Sequence, residues 1–370
     1  MRSNYKKLGE YIRPIDERNS DGSLGEDNLY GISVTKDFIV THANLVGVTF
    51  DSYKVVAPRQ FAYIPDTSRR GDKIAISLNT MGEKIIVSSI CTVFEIVDED
   101  QLLPEYLMLW FMRPEFDRYA RFMSNGSARE VFDWDSMCGV ELPIPSLPEQ
   151  RKIVHDYQVI TDRIELLRKM NEKLYSYLNA QFERIVSDVT SFAPLSTLCD
   201  YVTDKEDFGR LHEQNYLSTE NLLQNKQGIV GFGETEDDTR VTCFQAEDTL
   251  ISNIRPYFKK IWFATVSGGC NADVLCFRAH DSKDACLVNA VLYQNKFFDY
   301  VMSGAKGTKM PRGDKSHIMQ YPVPVLTKEK KEEFLSLANK IQSLQAVNKK
   351  EIDILQRLMV LSVSNIAKGA

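Results

Sequence analysis

The chain has 370 residues, of which 43% are hydrophobic and 26% charged, with a formal net charge of −6. That length allows two to three domains. The acidic balance argues against a simple basic nucleic-acid binder, because phosphate contacts need Lys and Arg, although local basic clusters can act within an acidic whole.

The seven cysteines (Cys91, Cys138, Cys199, Cys243, Cys270, Cys276 and Cys286) form no C-x-x-C pair and have no matching His spacing. Neither a zinc site nor a disulfide framework is therefore indicated. The N-terminus lacks an apolar leader core, and no run of about 18 apolar residues occurs. A soluble, cytoplasmic protein with no membrane partner is expected.

In chain order, residues 1–146 open on Leu8-Gly9-Glu10-Tyr11-Ile12 and a polar, turn-rich stretch from Asp16 to Asn28. Short β-type runs follow at 30–34, 53–57, 61–64, 73–78, 85–90 and 91–97, separated by Gly, Asp, Asn and Pro. Helices are predicted near 104–112 and 115–123. Arg59, Gln60, Arg69 and Arg70, with Asn125, Ser127 and Arg129 in the later loop Ser124–Arg129, carry the side-chain types that contact bases and phosphates.

Residues 147–187 read as one long helix. Ser146 with Glu149 three residues on is a capping-box signature, and Pro148 sits where the first turn tolerates it. No Gly or Pro follows up to Ser187. Apolar residues then step by threes and fours: Ile153, Tyr157, Ile160, Ile164, Leu167, a polar break at Asn171, then Leu174, Leu178 and Ile185. At about 1.5 Å per residue the rod is on the order of 60 Å long. Such a rod needs a partner.

Residues 188–326 repeat the order of the first segment. Leu195 to Val202 matches the opening, strands are predicted near 228–232, 249–254, 261–266 and 274–278, and helices near 285–294 and 296–302. Two loops stand out. Ser252 to Lys260 packs Asn253, Arg255, Tyr257, Lys259 and Lys260 into one turn after a strand. Asn and Arg can read adenine and guanine edges, and Lys suits phosphates. Gly304 to Lys315 is strongly basic, with Thr308, Lys309, Arg312 and Lys315, and its glycines let backbone approach a phosphate.

Residues 327–370 supply the partner helix, with Phe334, Leu337, Ile341, Leu344, Asn348, Leu355 and Leu358 in a seam. Set 177 residues after the first seam, Phe334, Leu337, Ile341, Leu344 and Leu355 fall on its apolar positions, and Asn348 falls on Asn171. A buried Asn in such a seam fixes register at a cost in stability. The predicted contacts run through Ile160, Ile164, Leu167, Asn171 and Leu178 on one helix and Leu337, Ile341, Leu344, Asn348 and Leu355 on the other. Upstream, Asp135, Pro143 and Pro145 align with Asp314, Pro322 and Pro324 at an offset of 179. The expectation is a duplicated unit: an α+β fold of two recognition domains with short-stranded sheets, separated by two long antiparallel helices in a coiled-coil spacer.

Enzyme signatures are absent from the sequence. There is no G-x-x-x-x-G-K-[ST] phosphate loop, no H-E-x-x-H, and no dinucleotide turn between a strand and a helix. The double proline that would clamp a flipped adenine is missing, and the five histidines show no clustered spacing. A non-catalytic chain with no metal site is expected.

These features together resemble the specificity (S) subunits of type I restriction–modification systems. The carriers are Leu142-Pro143-Ile144-Pro145-Ser146-Leu147-Pro148-Glu149-Gln150-Arg151-Lys152-Ile153, Gly126-Ser127-Ala128-Arg129, Ile251-Ser252-Asn253-Ile254-Arg255-Pro256-Tyr257 and Gly307-Thr308-Lys309-Met310-Pro311-Arg312. The second copy departs from the pattern at Thr327-Lys328-Glu329-Lys330, where a second P-x-E-Q is usual.

The resemblance implies that each globule reads one half of a bipartite double-stranded DNA site and that the helices act as spacers. It also implies two adenine-N6 methyltransferase subunits carrying S-adenosylmethionine, restriction subunits using ATP and Mg, and no cofactor in this chain. The competing reading is a coiled-coil scaffold or assembly protein whose globules bind protein, which the acidic balance favours slightly.

Overall fold

The computed structural model describes residues 5–41, 47–66, 73–124 and 130–368. The chain divides into two units, Met1–Leu167 with Lys350–Ala370, and Arg168–Lys349. The long helices Leu147–Val186 and Lys328–Asn365 each contribute one part to either unit.

The first unit is built on a four-stranded antiparallel sheet in the order Ile12–Ile15, Thr92–Ile96, Phe61–Ile64, Ala75–Leu78. Strand Phe61–Ile64 is buried at every position because both faces are covered. One face carries Phe61, Tyr63 and Phe94 into a core shared with helices Pro104–Phe111 and Pro114–Met123. The same core takes Val363 and Ile366 from the end of the second long helix, with Ile153, Val154 and Tyr157 of the first packed against it. Ala62, Ile64, Ala75 and Val93 form a second cluster with Ile32, Val56, Ile85 and Val87 of the inserted strands. Tyr5–Lys7 closes the unit against Glu141–Pro143.

The second unit repeats this frame. Its sheet runs Cys199–Tyr201, Val274–Ala279, Thr249–Ser252, Ile261–Phe263, in the same antiparallel order, and Phe192–Pro194 closes against Pro322–Pro324. Helices Ala285–Leu292 and Asn295–Ser303 cover it. The insertions differ between the units. The first carries two-stranded pieces (Tyr30–Ile32 with Phe38–Val40, Lys54–Val56 with Ile85–Val87), and the second a four-stranded sheet made from Lys205–Asp207, Arg240–Phe244, Gly268–Cys270 and Tyr216–Leu217. Several of these strands are two or three residues long, too short to show a period, and the run predicted at 228–232 forms only isolated bridges through Ile229 and Gly233.

The repeat offset is 181 residues. It relates Pro104 to Ala285, Pro114 to Asn295, Asp133 to Asp314, Glu141 to Pro322 and Leu147 to Lys328, each pair opening, capping or edging an equivalent element. Asp133 and Asp314 both cap a short helix, accepting main-chain N–H from Ser136, and from Ser316 and His317, respectively. The offsets of 177 and 179 are therefore corrected. The offset of 177 has a physical source: a seam that alternates threes and fours nearly superposes on itself when slipped by four residues.

The helices run antiparallel. Within the second unit Asn171 meets Asn348 and Arg184 meets Glu333, and within the first Arg163 meets Glu351. On the first helix Ile164, Leu167, Leu178 and Ile185 are buried, with Ile160 and Asn171 half-buried, as the seam predicts, and Phe182 joins them. On the second helix the covered positions are Phe334, Ala338, Ile341, Asn348 and Val363, with Gln345, Ile352, Leu355 and Met359 half-buried. Each lies 181 residues after a seam position of the first. Leu344 and Leu358 are 42% and 44% exposed and are corrected out of the seam. Leu337 is half-buried and packs at the edge of the second unit's core, beside Ala338, which holds the inward position.

Candidate nucleic-acid interface

In the second unit the two loops predicted separately form one cluster. Arg255 donates its main-chain N–H to Pro311 O at 2.8 Å, and Gly313 donates to Asn253 O at 3.3 Å. Ile254 and Lys306 each bridge Arg312. The approach is close: a Cβ on Gly313 would lie 2.9 Å from Asn253 Oδ1 and 2.8 Å from a Val301 methyl, so only Gly fits there.

The turn Pro256–Phe258 is bracketed by Arg255 and Lys259, both left-handed at φ 51°. A non-Gly residue costs roughly 1–2 kcal/mol in that region. The cost is sustained by hydrogen bonds from Arg255 N to Pro311 O and from Asn225 N to Phe258 O. Asn253 is 8% exposed, and its Oδ1 and Arg255 Nε are buried without a hydrogen-bond partner among the described residues. Each such group costs about 1–3 kcal/mol unless something satisfies it.

The cations of the cluster differ in availability. Arg312 is held bidentate by Asp273, at 3.1 and 3.3 Å, yet stays half exposed. Lys306 pairs with Asp314 at 2.6 Å and holds that carboxyl down at about 2, with His317 N–H also contributing. Lys315 lies 5.7 Å over the Tyr201 ring. Lys259 Nζ donates to Asn295 Oδ1 at 3.0 Å, and Lys260 Nζ to Thr219 O at 2.7 Å. Burial pulls Lys260 below the usual ammonium range. Thr308, Lys309 and Tyr257 are exposed.

One cation was missed. Lys226 donates its N–H to Lys259 O at 2.9 Å, and its ammonium sits 4.7 Å over Tyr293. Burial and the Lys259 charge lower its pKa. Lys226 lies in an irregular loop, where no periodic signal could have placed it beside Lys259.

In the first unit Arg59 and Gln60 are engaged by neighbouring side chains and main chain of the same unit. Arg59 Nε and Nη2 grip Glu99 at 2.8 and 2.6 Å, and Nη1 grips Glu105 at 2.6 Å. These carboxylates, Glu99 first, raise the guanidinium pKa. Gln60 is 9% exposed, accepts from Ala57 N and donates to Glu95, both at 2.8 Å. Both side chains are committed within the unit. Arg69, Arg70, Asn125, Ser127 and Arg129 lie outside the described residues.

Among the described residues no group of three or more His, Cys, Asp or Glu is placed to hold a metal ion, and no helix is long and apolar enough to cross a membrane. A cavity of about 700 Å³ in the first unit is lined by Tyr5, Trp110, Phe116, Tyr119 and Glu141, which bring no nucleophile beside a base.

No protein-family model matches the sequence. No curated protein matches it either. Among solved structures, the chain shares the fold of the type I restriction–modification S subunit from M. genitalium, with a TM-score of 0.52 and 11% identity over 98% of this chain and 95% of that one. It is also similar to a structure solved for complex assembly and conformational transition of the type I R-M system (TM-score 0.49, 13% identity, 99% and 97% covered). A third is the HsdS subunit from Thermoanaerobacter tengcongensis (TM-score 0.38, 15% identity, 99% and 96% covered).

Proposed function

We propose that this chain is the non-catalytic DNA-recognition subunit of a type I restriction–modification complex, each unit reading one half of a bipartite double-stranded site. The observation that carries the reading is the duplicated frame, with equal strand order in both units, unlike insertions, and two long helices continuous through both. Two readers of different short sequences on one scaffold have this form.

In the second unit the readers are Asn253, Arg255, Tyr257, Lys259, Lys260, Thr308, Lys309, Arg312 and Lys315. The exposed side chains among them, Tyr257, Thr308, Lys309 and Arg312, face the duplex first, and Asn253 and Arg255 hold the two loops together behind them. In the first unit Asn125, Ser127, Arg129, Arg69 and Arg70 keep this role.

The helices set the spacing of the half-sites and, with the units, dock two adenine-N6 methyltransferase subunits. Exposed Ile354, Leu358 and Leu361 on the second helix support a helical partner there. Restriction subunits join that assembly in the cytoplasm. S-adenosylmethionine, ATP and Mg belong to those partners.

The test is methylome sequencing of cells expressing the chain with its methyltransferase. Exchanging residues 1–146 for another family member's first domain changes one half-site only. Absence of a bipartite methylated motif overturns the reading. In direct binding, Arg312→Ala weakens affinity and flattens the salt dependence by about 0.9 in log–log slope if it contacts one phosphate.

A further inference from the structure

The turn Asn253–Lys260 continues into a second feature of the same unit. Asn225 and Lys226 donate main-chain N–H to Phe258 O and Lys259 O, both at 2.9 Å. The chain then runs directly into Gly228-Ile229-Val230-Gly231-Phe232-Gly233. This segment is pinned along its length, by Leu223 N to Gly228 O at 2.8 Å, Val230 N to Asn221 O at 3.0 Å and Gly233 N to Tyr216 O at 2.9 Å.

Ile229 packs on the cluster of Leu217, Leu222 and Phe244. Val230 is 72% exposed and Phe232 40% exposed. Phe232 stands edge-on to Trp262 at 5.9 Å, and Trp262 edge-on to Phe244 at 5.8 Å. The result is a small apolar prominence on a fixed backbone, joined to the segment that carries Lys226, Lys259 and Lys260.

Single exposed apolar side chains are common and need no explanation. This one is held rigidly, backed by an aromatic ladder and stitched to the proposed reading turn. Two side chains make too small a patch for a stable protein interface. The chain leading into them is hydrogen-bonded to the turn that holds Tyr257 and Lys259, so a duplex engaged by that turn brings a groove to them. The major groove offers one apolar group, the thymine C5-methyl, and the minor groove offers none.

We propose that Val230, supported by Phe232, reads a thymine in the half-site of the second unit by packing on its methyl group. This rests on the DNA-recognition reading above.

The experiment selects bound sequences from duplexes with a randomised centre, using the full chain co-expressed with its methyltransferase. The recovered half-site of the second unit is expected to contain an invariant thymine. Replacing that thymine with deoxyuridine deletes only the methyl group, and is expected to weaken wild-type binding roughly fourfold. Val230→Ser is expected to bind the thymine duplex about fourfold less tightly and to lose the thymine–uracil difference. Val230→Thr, which keeps one methyl and the side-chain shape, is expected to retain part of it.

A half-site without thymine, a wild type indifferent to deoxyuridine, or a Val230→Ser chain that still discriminates overturns the inference and leaves the recognition reading standing. A chain that enriches no duplex overturns both.

Discussion

Asn348 donates its side-chain amide to Asn171 Oδ1 at 2.7 Å, while Gln345 donates to the Asn171 main-chain carbonyl at 3.3 Å. The two asparagines meet because the helices are antiparallel, and they are not copies of each other. At the repeat offset, Asn171 corresponds to Ile352, Asn348 to Leu167 and Gln345 to Ile164. The polar layer thus exists in one copy and is replaced by apolar residues in the other. A duplicated antiparallel pair has alternative registers of similar apolar burial, and a single polar layer penalises those that leave an amide in an apolar layer.

The prediction concerns asymmetry between single and double changes. Asn348 is 3% exposed, so Asn171→Leu strands its amide and should cost about 1–3 kcal/mol. Asn348→Leu should cost a similar amount. The double change Asn171→Leu with Asn348→Leu removes both polar partners and should be near neutral or stabilising. Urea unfolding midpoints of the four chains measure this, and strictly additive losses would contradict the pairing.

A second prediction follows from Gln150. The side chain is fully buried, accepts from Leu103 N at 2.9 Å and donates to Gln101 O at 2.8 Å and Pro145 O at 2.9 Å. The Gln of Pro148-Glu149-Gln150 therefore ties the long helix to the start of helix Pro104–Phe111, while Glu149 accepts from Ser146 N and Oγ at 3.0 and 2.7 Å. Gln150→Leu should destabilise by about 1–3 kcal/mol, since three main-chain groups at a fully buried side chain lose their partner. At the equivalent place in the second copy Lys331 pairs with Asp284 at 2.7 Å. The departure of the second copy there is a change of chemistry at one repeated position of the frame, from a neutral amide to an ion pair.

The contrast shows what the sequence could and could not reveal. The sheet frame, the helix pairs and the long rods were legible because apolar runs, proline-started helices and a three–four step leave local marks. The register of the repeat was not, because Leu337 and Leu344 look more hydrophobic than Ala338 and Gln345, which hold the inward positions. Burial at a helix–helix contact depends on angle around the axis, and a small or amide side chain at the right angle displaces a leucine at the wrong one. The merging of loops 253–260 and 304–315 was likewise invisible, since their contacts join main-chain groups more than fifty residues apart, as from Arg255 N to Pro311 O.

A pH prediction concerns Asp314, whose carboxyl is held at about 2 by the Lys306 ammonium and, next, by the His317 N–H, against an ordinary 3.8. A carboxylate lowered in the folded state contributes stability above its unfolded pKa and loses it as pH falls through the folded one. The Asp314 contribution should be full above about pH 4 and fade towards pH 2. A carbon-detected titration of the Asp314 carboxyl should give a midpoint near 2, and Lys306→Ala should move it upward. A midpoint unmoved by that substitution would assign the shift to the helix cap alone.

The last prediction tests the helices as the determinant of half-site spacing. A four-residue insertion near Asn171 in one helix alone moves Asn171 past Asn348, so the polar layer is lost along with the spacing. Seven residues added to both helices, between Leu167 and Arg168 and between Lys349 and Lys350, preserve the three–four step on either side of the insertions. At 1.5 Å per residue the pair lengthens by about 10 Å, which is about three base pairs at 3.4 Å each. Methylome sequencing of cells expressing that double insertion should return both half-sites unchanged, with a spacer longer by about three base pairs. The single insertion should give weak or heterogeneous methylation instead. An unchanged spacer in the double insertion would mean that the half-sites are set apart by contacts with the methyltransferase subunits and not by these rods.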